Sequence, residues 1–349
     1  MPKNSIFRMK YGIISDIHDD ARVIIPAVAM LKSLGADKLV LNGDIGEFED
    51  NLETTQSRLA FILDNVGKSG IEAYVQPGSH ELIPGFAPVL KHFAEKYDNI
   101  FVIANISQIE NPDHHAVFIP GSDVINGEYK LGDEIPTGEY VKLQQGLMPL
   151  EIAKERLSKG VEIFGFLSYQ NLADLRNVVT DGPKTIVFCH SPSRFKNLEN
   201  AVDLAEFGTV TEDFTTDIIY YADGEVQIGS LFLPKKVDRH VRCKKFKNGH
   251  VIVRAIAEKF VRVGLPVEMV KANVGSKELA SIYSELGITK AVSCHIHESA
   301  HNATDSEGNP VEEGKFVSEL FWNASHADSS KFGILSVENG TVCYKNVTL

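Results

Sequence analysis

The residues of this chain that are best suited to chemistry are aspartates and histidines that follow five apolar segments. The motifs are Asp16-Ile17-His18, Asn42-Gly43-Asp44, Gly78-Ser79-His80-Glu81, Cys189-His190 and Cys294-His295-Ile296-His297. Carboxylates and imidazoles that converge on one point are the ligands that a pair of divalent metal ions requires. Each motif alone is common, and a single histidine is more often a hydrogen-bonded loop residue than a ligand. It is therefore the joint pattern of all five that predicts a metal site.

The apolar segments before these motifs predict the strands that position them. They span residues 11–15, 38–41, 71–75, 185–188 and 290–293. Amphipathic helical patterns at 21–34, 52–68 and 86–97 separate the first three strands and continue beyond them, which predicts a partly parallel sheet. In such sheets ligands gather beyond the carboxyl ends of the strands. Asp16 and His18 are two residues apart, as are His295 and His297, so each pair can point in the same direction.

The order of the five motifs resembles that of the calcineurin-like metallophosphoesterases, and the resemblance runs from about Tyr11 to Val347. The segment Phe321-Trp322-Asn323-Ala324-Ser325, with residues 332–337 after it, is similar to the closing loop and hairpin of that family. The resemblance implies a mixed α/β fold, namely a four-layer αββα sandwich of two mixed sheets flanked by helices. It also implies two bound metal ions.

Carried over position by position, the resemblance implies a set of metal ligands. The first metal would be held by Asp16, His18 and His297, and Asp44 would bridge both metals. The second metal would be held by His190, His295 and the residue at position 79, which is Ser79. Their chemistry suits two divalent ions drawn from Mn, Fe, Zn, Ni and Co.

Two further residues would act in the reaction itself. The resemblance implies that His80 contacts the phosphate and assists the leaving group. Glu47 stands three residues after Asp44, where many family members carry an acidic partner for that histidine, and the alternative is an ordinary loop acid. The implied chemistry is hydrolysis of a phosphodiester or phosphomonoester by metal-activated hydroxide, as in phosphatases and phosphodiesterases.

The chain departs from the family pattern at two positions. Ser79 occupies the place of an asparagine, and its hydroxyl is a shorter and poorer ligand than an amide oxygen, which predicts weaker binding of the second metal. Cys294 replaces the usual glycine before His295, and we expect this thiol to pack in the core rather than to react.

The sequence leaves two other functions open, a scaffold and a nuclease. Ser79 is the support for a metal-binding scaffold with impaired catalysis, although such a scaffold would have no need of His80. A basic run is the support for a nuclease; it consists of Lys235, Lys236, Arg239, Arg242, Lys244, Lys245 and Lys247, opposed only by Asp238. Because aromatic residues are scarce in this run, we favour a solvated surface over a nucleic-acid contact.

Composition restricts the class of protein. The chain has 349 residues, 43% of them hydrophobic, and a formal net charge of −12, so nucleic acid is not attracted by overall charge. The expected substrate is a phosphorylated small molecule or nucleotide. No apolar stretch reads as a secretory signal or a membrane span, and four cysteines do not suggest a disulfide framework. The expected location is the cytoplasm, and the oligomeric state cannot be read.

The rest of the chain predicts one catalytic domain over residues 1–349 with two insertions that rim the site. Residues 121–150 are rich in glycine, proline and acidic residues and predict a long loop or cap. The second insertion, residues 197–265, predicts a hairpin around Asp223-Gly224 and a helix over 250–263, with a strand following at 266–270. Arg194 and Lys196, shortly after His190, are placed in sequence to meet a phosphate.

Overall fold

A computed structural model describes residues 8–18, 20–47, 51–124, 126–157, 162–221, 226–228 and 239–349. The helices of these residues are α1 Ile24–Ser33, α2 Leu52–Ser69, α3 Ile83–Lys96, α4 Leu150–Leu157, α5 Leu175–Val178, α6 Arg254–Arg262 and α7 Lys277–Leu286. The strands are β1 Arg8–Ile14, β2 Lys38–Asn42, β3 Glu72–Gln76, β4 Ile100–Val102, β5 Ser107–Glu110, β6 His115–Ile119, β7 Tyr129–Gly132, β8 Gly138–Leu143, β9 Gly146–Pro149, β10 Gly165–Asn171, β11 Thr185–Cys189, β12 Leu204–Val210, β13 Phe214–Tyr221, β14 Val226–Ile228, β15 Arg239–Phe246, β16 Val251–Val253, β17 Val267–Asn273, β18 Lys290–Ser293, β19 Ala303–Thr304, β20 Leu320–Asn323, β21 Lys331–Glu338 and β22 Thr341–Thr348.

The chain divides into two compact units. The first comprises Met1–Asp203 and Val274–Leu349, and the second comprises Leu204–Asn273. The second unit falls largely within the insertion predicted at residues 197–265. The prediction of a single catalytic domain over residues 1–349 with two insertions at the site rim stays a prediction.

Two six-stranded mixed sheets form the centre of the first unit. The first sheet has the order β22-β21-β1-β2-β3-β4, and β1 to β4 run parallel. The second has the order β19-β20-β18-β11-β6-β5, and β20, β18, β11 and β6 run parallel. Each sheet therefore brings the carboxyl ends of four strands to one edge, which is where sequence reasoning expected the polar motifs.

Alternation along the strands sorts their buried residues into separate cores. Ile14 packs in the core that α1, α2 and α3 form with the first sheet, whereas the adjacent Ile13 packs with Trp322 in a core that contains residues of both sheets. On the other face of the second sheet, the ring centroid of Tyr283 in α7 lies 6.4 Å from that of Phe321. The predicted mixed α/β sandwich of two sheets flanked by helices is confirmed.

Side-chain caps and left-handed residues set the ends of helices α2 and α7. At the start of α2, the Asn51 side chain accepts a hydrogen bond from a backbone amide of the first turn, and Gly70 ends the helix with φ 72°. Ser276 caps α7 in the same way, and Gly287 ends it with φ 68°. Both helices thus begin and end at residue types that favour these positions.

The segment predicted as a long loop, residues 121–150, is more ordered than its composition indicated, and that prediction was wrong. It contains β7, β8 and β9, and β7 and β8 flank β10 in a sheet with the order β7-β10-β8-β9. The buried residues Leu131, Tyr140 and Val141 are the apolar positions of these short strands. The strands are only four to six residues long and are separated by short, mostly polar connections, so the sequence has no long apolar period that would predict them.

The second unit has its own small core around Phe246, Phe260 and Val267. The helix predicted over residues 250–263 was wrong at its start, because Val251–Val253 form β16, which pairs with β12, and α6 begins at Arg254. The predicted hairpin is present as β13 paired with β14, although residues 222–225 of its turn lie outside the described residues. In the basic run, β15 holds Lys244 and Lys245, while Lys235 and Lys236 lie outside the described residues.

Within the described part of the chain, no helix is long and apolar enough to cross a membrane.

Close packing of Trp322 on Gly333 gives a stability prediction. A Cβ added to Gly333 would collide with the Trp322 ring, which is fully buried. We expect Gly333→Ala to lower the free energy of unfolding by about 1–3 kcal/mol because the core must rearrange. Urea denaturation measures the change. Gly46→Ala is the matched control, since nothing lies within 4 Å of its added Cβ; equal losses in the two variants would contradict the packing argument.

Candidate metal centre

The aspartates and histidines predicted from sequence lie just beyond the carboxyl ends of five strands in the first unit. Asp16 follows β1, Asp44 follows β2, and Ser79 and His80 follow β3. In the second sheet, His190 follows β11 directly and His295 follows β18 by two residues. Because these strands are parallel neighbours within their sheets, their ends bring distant parts of the sequence together.

Three groups of these side chains have ligand atoms within 4.8 Å of one another. They are Asp16 with His18 and His297, Asp44 with His190 and His295, and His18 with Glu47 and His80. The first two groups each offer one carboxylate and two imidazoles. The first is the set that the resemblance assigned to the first metal. The second contains Asp44, which was assigned to both metals, with His190 and His295 of the second set, and Ser79 of that set lies 2.7 Å from Oδ2 of Asp44. The structure brings together every histidine and acid predicted for the site.

Distances within the groups are those of side chains that face a common point. The Nε2 atom of His297 lies 3.2 Å from Oδ1 of Asp16, and Nε2 of His18 lies 3.8 Å from the same oxygen. In the other group, Nε2 of His190 lies 3.0 Å from Oδ2 of Asp44. That oxygen is also 4.0 Å from Nε2 of His80, which places Asp44 centrally.

Two of the ring nitrogens make no hydrogen bond although they are buried. Nε2 of His18 and Nε2 of His190 have no partner among the described residues, and His190 lacks hydrogen-bond geometry to Asp44 despite the short distance. A buried polar atom without a hydrogen-bond partner is energetically unfavourable, so these two nitrogen atoms are candidates to bind a ligand. The donor set of carboxylate and imidazole fits a divalent transition metal at both places.

Four of these residues hold a backbone conformation that L-amino acids rarely adopt. The φ angle is 54° at Asp16, 42° at His18, 48° at Asp44 and 70° at His295. Each such residue costs about 1–3 kcal/mol and persists only where the surroundings enforce it. The strain is concentrated on the candidate ligands, as is common at functional sites.

Glu47 joins two histidines of the site. Its Oε1 lies 2.7 Å from Nδ1 of His80, and its Oε2 lies 2.9 Å from Nδ1 of His18. Burial alone would raise the pKa of Glu47, but the hydrogen bonds to the two rings lower it to about 2. The carboxylate therefore accepts from both Nδ1 atoms and leaves both Nε2 atoms directed at the site.

The structure shows what Ser79 and Cys294, the two departures from the family pattern, contact. The Ser79 hydroxyl donates to Oδ2 of Asp44 at 2.7 Å and lies 3.5 Å from Nδ1 of His295. Cys294 is fully buried in the core that contains residues of both sheets, and burial raises the pKa of its thiol to about 12. Ser79 thus points at the candidate second metal ligands, whereas Cys294 is a packing residue.

Neighbouring acids and imidazoles of the centre shift one another's pKa values, which favours a protonated His190 beside charged carboxylates. Burial would raise the pKa of Asp16, but the hydrogen bond to His297 and the charge of His190 hold it at about 2. Burial would lower the pKa of His190, but the neighbouring Asp44 raises it to about 10. A divalent cation would take the place of these imidazole protons, which is the usual coupling of metal binding to proton release.

Sequence reasoning missed the role of Glu81. This fully buried carboxyl accepts hydrogen bonds from the backbone amides of Ile45 and Gly78, each at 2.8 Å, and so ties the Asp44 loop to the Ser79 loop. Burial, with the nearby charge of Asp44, raises its pKa to about 7. The sequence signal that could have revealed this role was the position of Glu81 in the Gly78-Ser79-His80-Glu81 motif.

Two more contacts were missed because they come from loops without a motif. Nδ2 of Asn126, in the segment predicted as a loop, lies 3.3 Å from Nε2 of His80. The ring of His326 stacks on that of His297 with centroids 3.9 Å apart. Arg194 and Lys196 are exposed, and no contact with the site is seen for them among the described residues.

Comparison with known proteins identifies a family and related folds. The family model for calcineurin-like phosphoesterases matches residues 9–223. One solved structure is 10% identical, with 98% of this chain and 99% of that chain covered and a TM-score of 0.50. A protein of Thermus thermophilus is 9% identical, with coverages of 97% and 99% and a TM-score of 0.47. An archaeal phosphodiesterase is 14% identical over 40% of this chain and 82% of its own, with a TM-score of 0.25. At such identities the first likeness speaks for the fold alone. No functionally curated sequence matches this chain.

Proposed function

The chain belongs to the calcineurin-like phosphoesterase family, and from this we propose that it is a binuclear metal-dependent hydrolase of phosphomonoesters or phosphodiesters. The observation that carries the proposal is the pair of adjacent ligand groups, each with one aspartate and two histidines. The family supports hydrolysis of a phosphate ester. The number of ions and the kind of ester are our proposal.

Each metal has a proposed set of ligands. Asp16, His18 and His297 hold the first ion, and Asp44 with His190 and His295 holds the second. Asp44 would contribute to both sites, as the resemblance implies. The two ligand groups adjoin, because Nε2 of His190 lies 3.0 Å from Oδ2 of Asp44 and 4.0 Å from Oδ1 of Asp16. Since imidazole and carboxylate suit several transition metals, Mn²⁺ is the first to test, with Fe, Zn, Ni and Co as alternatives.

The protein side of the mechanism rests on His80. When bound, two divalent ions lower the pKa of water and neutralise charge on the phosphoryl group. His80 then donates a proton to the leaving oxygen from Nε2, because its Nδ1 is occupied by Glu47 at 2.7 Å. Burial would lower the pKa of His80, but Glu47 and Asp44 raise it, which favours the protonated ring that a proton donor needs. No covalent nucleophile is required.

The proposed function is tested by metal content and turnover together. The protein is stripped with a chelator, reconstituted with Mn²⁺ and examined by elemental analysis. We expect about two ions per chain and hydrolysis of p-nitrophenyl phosphate, bis(p-nitrophenyl) phosphate or both. About one ion with slow turnover would favour the impaired scaffold, and no bound metal would overturn the ligand assignment.

Ser79 gives a prediction for the second ion. An asparagine at this position places an amide oxygen on a longer arm toward the metal that His190 and His295 hold. We expect Ser79→Asn to tighten the weaker Mn²⁺ site by roughly 10-fold, by analogy with the effect of single residues around metal ligands. Calorimetric Mn²⁺ titration measures it. Ser284→Asn, an exposed helix substitution, is the control, and an unchanged affinity in Ser79→Asn would show that Ser79 does not limit the site.

A further inference from the structure

His297 differs from His18 and His190, two of the other candidate ligands, in how its ring is held. A ligand histidine usually has its second ring nitrogen fixed by a hydrogen bond. Nδ1 of His18 has Glu47 at 2.9 Å, and Nδ1 of His190 has the backbone oxygen of Asn42 at 2.9 Å. Among the described residues, the only hydrogen bond of the His297 ring is the one to Asp16. Within the described part of the chain, no hydrogen bond is seen at its Nδ1, and 39% of the side chain is exposed.

A second imidazole occupies the place of that missing partner. The ring of His326 lies parallel to the ring of His297, with centroids 3.9 Å apart and an angle of 19° between the planes. The His297 ring also makes an edge contact with the ring of His18, with centroids 5.4 Å apart and an angle of 61° between the planes. The His326 ring makes no hydrogen bond within the described residues, so stacking is its one evident interaction in the site.

The loop that carries His326 is fastened to the loop that carries Asp16. The backbone amide of Ala327 donates to the Ser15 oxygen at 3.0 Å, and that of Asp328 donates to the Asp16 oxygen at 3.1 Å. His326 itself exchanges two backbone hydrogen bonds with Lys331, at 3.0 and 3.1 Å. The stacked ring is therefore held in a fixed relation to Asp16, whose carboxylate His297 contacts.

We propose that His326 is a positioning residue that holds the His297 imidazole on the first metal by ring stacking. The proposal rests on the proposed function only in taking Asp16, His18 and His297 as the ligands of one ion. A flat ring at 3.9 Å restricts rotation of His297 about its side-chain bonds, as a hydrogen bond to Nδ1 does for His18. The planar shape of His326, not its nitrogen atoms, is what acts.

Three substitutions at His326 separate shape from polarity. His326→Phe keeps a flat ring without nitrogen, His326→Leu fills much of the space without a flat ring, and His326→Ala empties it. We expect His326→Leu and His326→Ala to weaken the tighter Mn²⁺ site about 10- to 100-fold, the usual effect of losing a residue that orients a ligand. We expect His326→Phe to stay within a few-fold of the unchanged protein.

Two measurements test this without relying on turnover. Calorimetric Mn²⁺ titration gives the affinity, and histidine ring NMR of the metal-free protein reports whether the His297 signals broaden. Broadening in the Leu and Ala variants together with sharp signals in the Phe variant would support the proposal. His92→Ala, which removes a ring that meets the edge of Phe93 instead, is the control and should change neither readout.

Other outcomes would overturn the proposal. If His326→Phe weakened Mn²⁺ binding as much as His326→Ala, the nitrogen atoms would be the acting groups. If no variant changed affinity or the His297 signals, His326 would be a packing residue only. Failure of the proposed function looks different, because inactive protein that still binds Mn²⁺ with this dependence on His326 would leave the positioning role intact.

Discussion

Asp44→Asn is expected to abolish most of the phosphoesterase activity, by on the order of 1,000-fold or more. The Asp44 carboxylate lies 3.0 Å from His190 and 4.0 Å from His80, and it is the proposed shared ligand of both ions. An amide has no negative charge to offset two cations, and metal stabilisation of a phosphoryl transition state is worth several kcal/mol, or about tenfold in rate for each 1.4 kcal/mol. Elemental analysis should show loss of metal in parallel with loss of turnover.

The backbone conformation at position 44 can be adopted by the asparagine of this variant. Asp44 has a φ of 48°, a left-handed conformation that asparagine tolerates nearly as well as aspartate. The fold should therefore survive. Asp20→Asn is the control, because Asp20 forms an exposed pair with Arg22, and such pairs contribute little. Full activity in Asp44→Asn would contradict the metal assignment as a whole.

His80→Ala is expected to lower kcat by about 100- to 10,000-fold, the range that a positioned acid contributes. In contrast to Asp44→Asn, the metal content should stay unchanged, because His80 is not a proposed ligand. Steady-state kinetics on p-nitrophenyl phosphate give kcat and KM for the variant, and elemental analysis gives the metal. A loss of metal in His80→Ala would mean that this imidazole is a ligand and not the proton donor.

The role of Glu47 can be read from the same assay. Glu47→Gln keeps the size of the side chain but removes the charge that holds Nδ1 of His80 and of His18. We expect a smaller fall in kcat than for His80→Ala, because the acid is still present but less well oriented. An equal fall in both variants would show that His80 works only as a pair with Glu47.

Sequence reasoning was strongest where a polar motif followed an apolar run. Asp44 and His190 are far apart in the sequence, and each follows a parallel strand, β2 in the first sheet and β11 in the second. The rule for strand ends predicted polar residues at the edge of a sheet, whereas the packing of two sheets, which the rule does not cover, brings these two residues within 3.0 Å. The mixed α/β fold followed from the same alternation of strands and helices. The resemblance supplied the roles, which the spacing alone did not give.

Sequence reasoning was weakest where pairing with a strand elsewhere in the chain decides the structure. Strands β7 to β9 are short. Strands β7 and β8 pair with β10, and β9 pairs with β8, so a window along the sequence does not contain the partners that form them. The error at β16 has the same cause, since Val251–Val253 pair with β12 although the residues continue a helical pattern. His326 follows the recognised Asn323-Ala324-Ser325 segment directly, but only the fold shows that its ring meets His297.

The left-handed backbone at Asp16, His18, Asp44 and His295 limits which residues can replace these four during evolution. Valine, isoleucine and threonine are excluded at these four positions by their branched Cβ, whatever happens to the chemistry. A descendant that no longer needed metal would be expected to carry glycine or asparagine there, because these residues relieve the strain. Ser79 is not among the residues with positive φ, so selection at that position acts on the side chain alone. Ser79 shares this freedom with His190 and His297, the other candidate ligands at which φ is not positive.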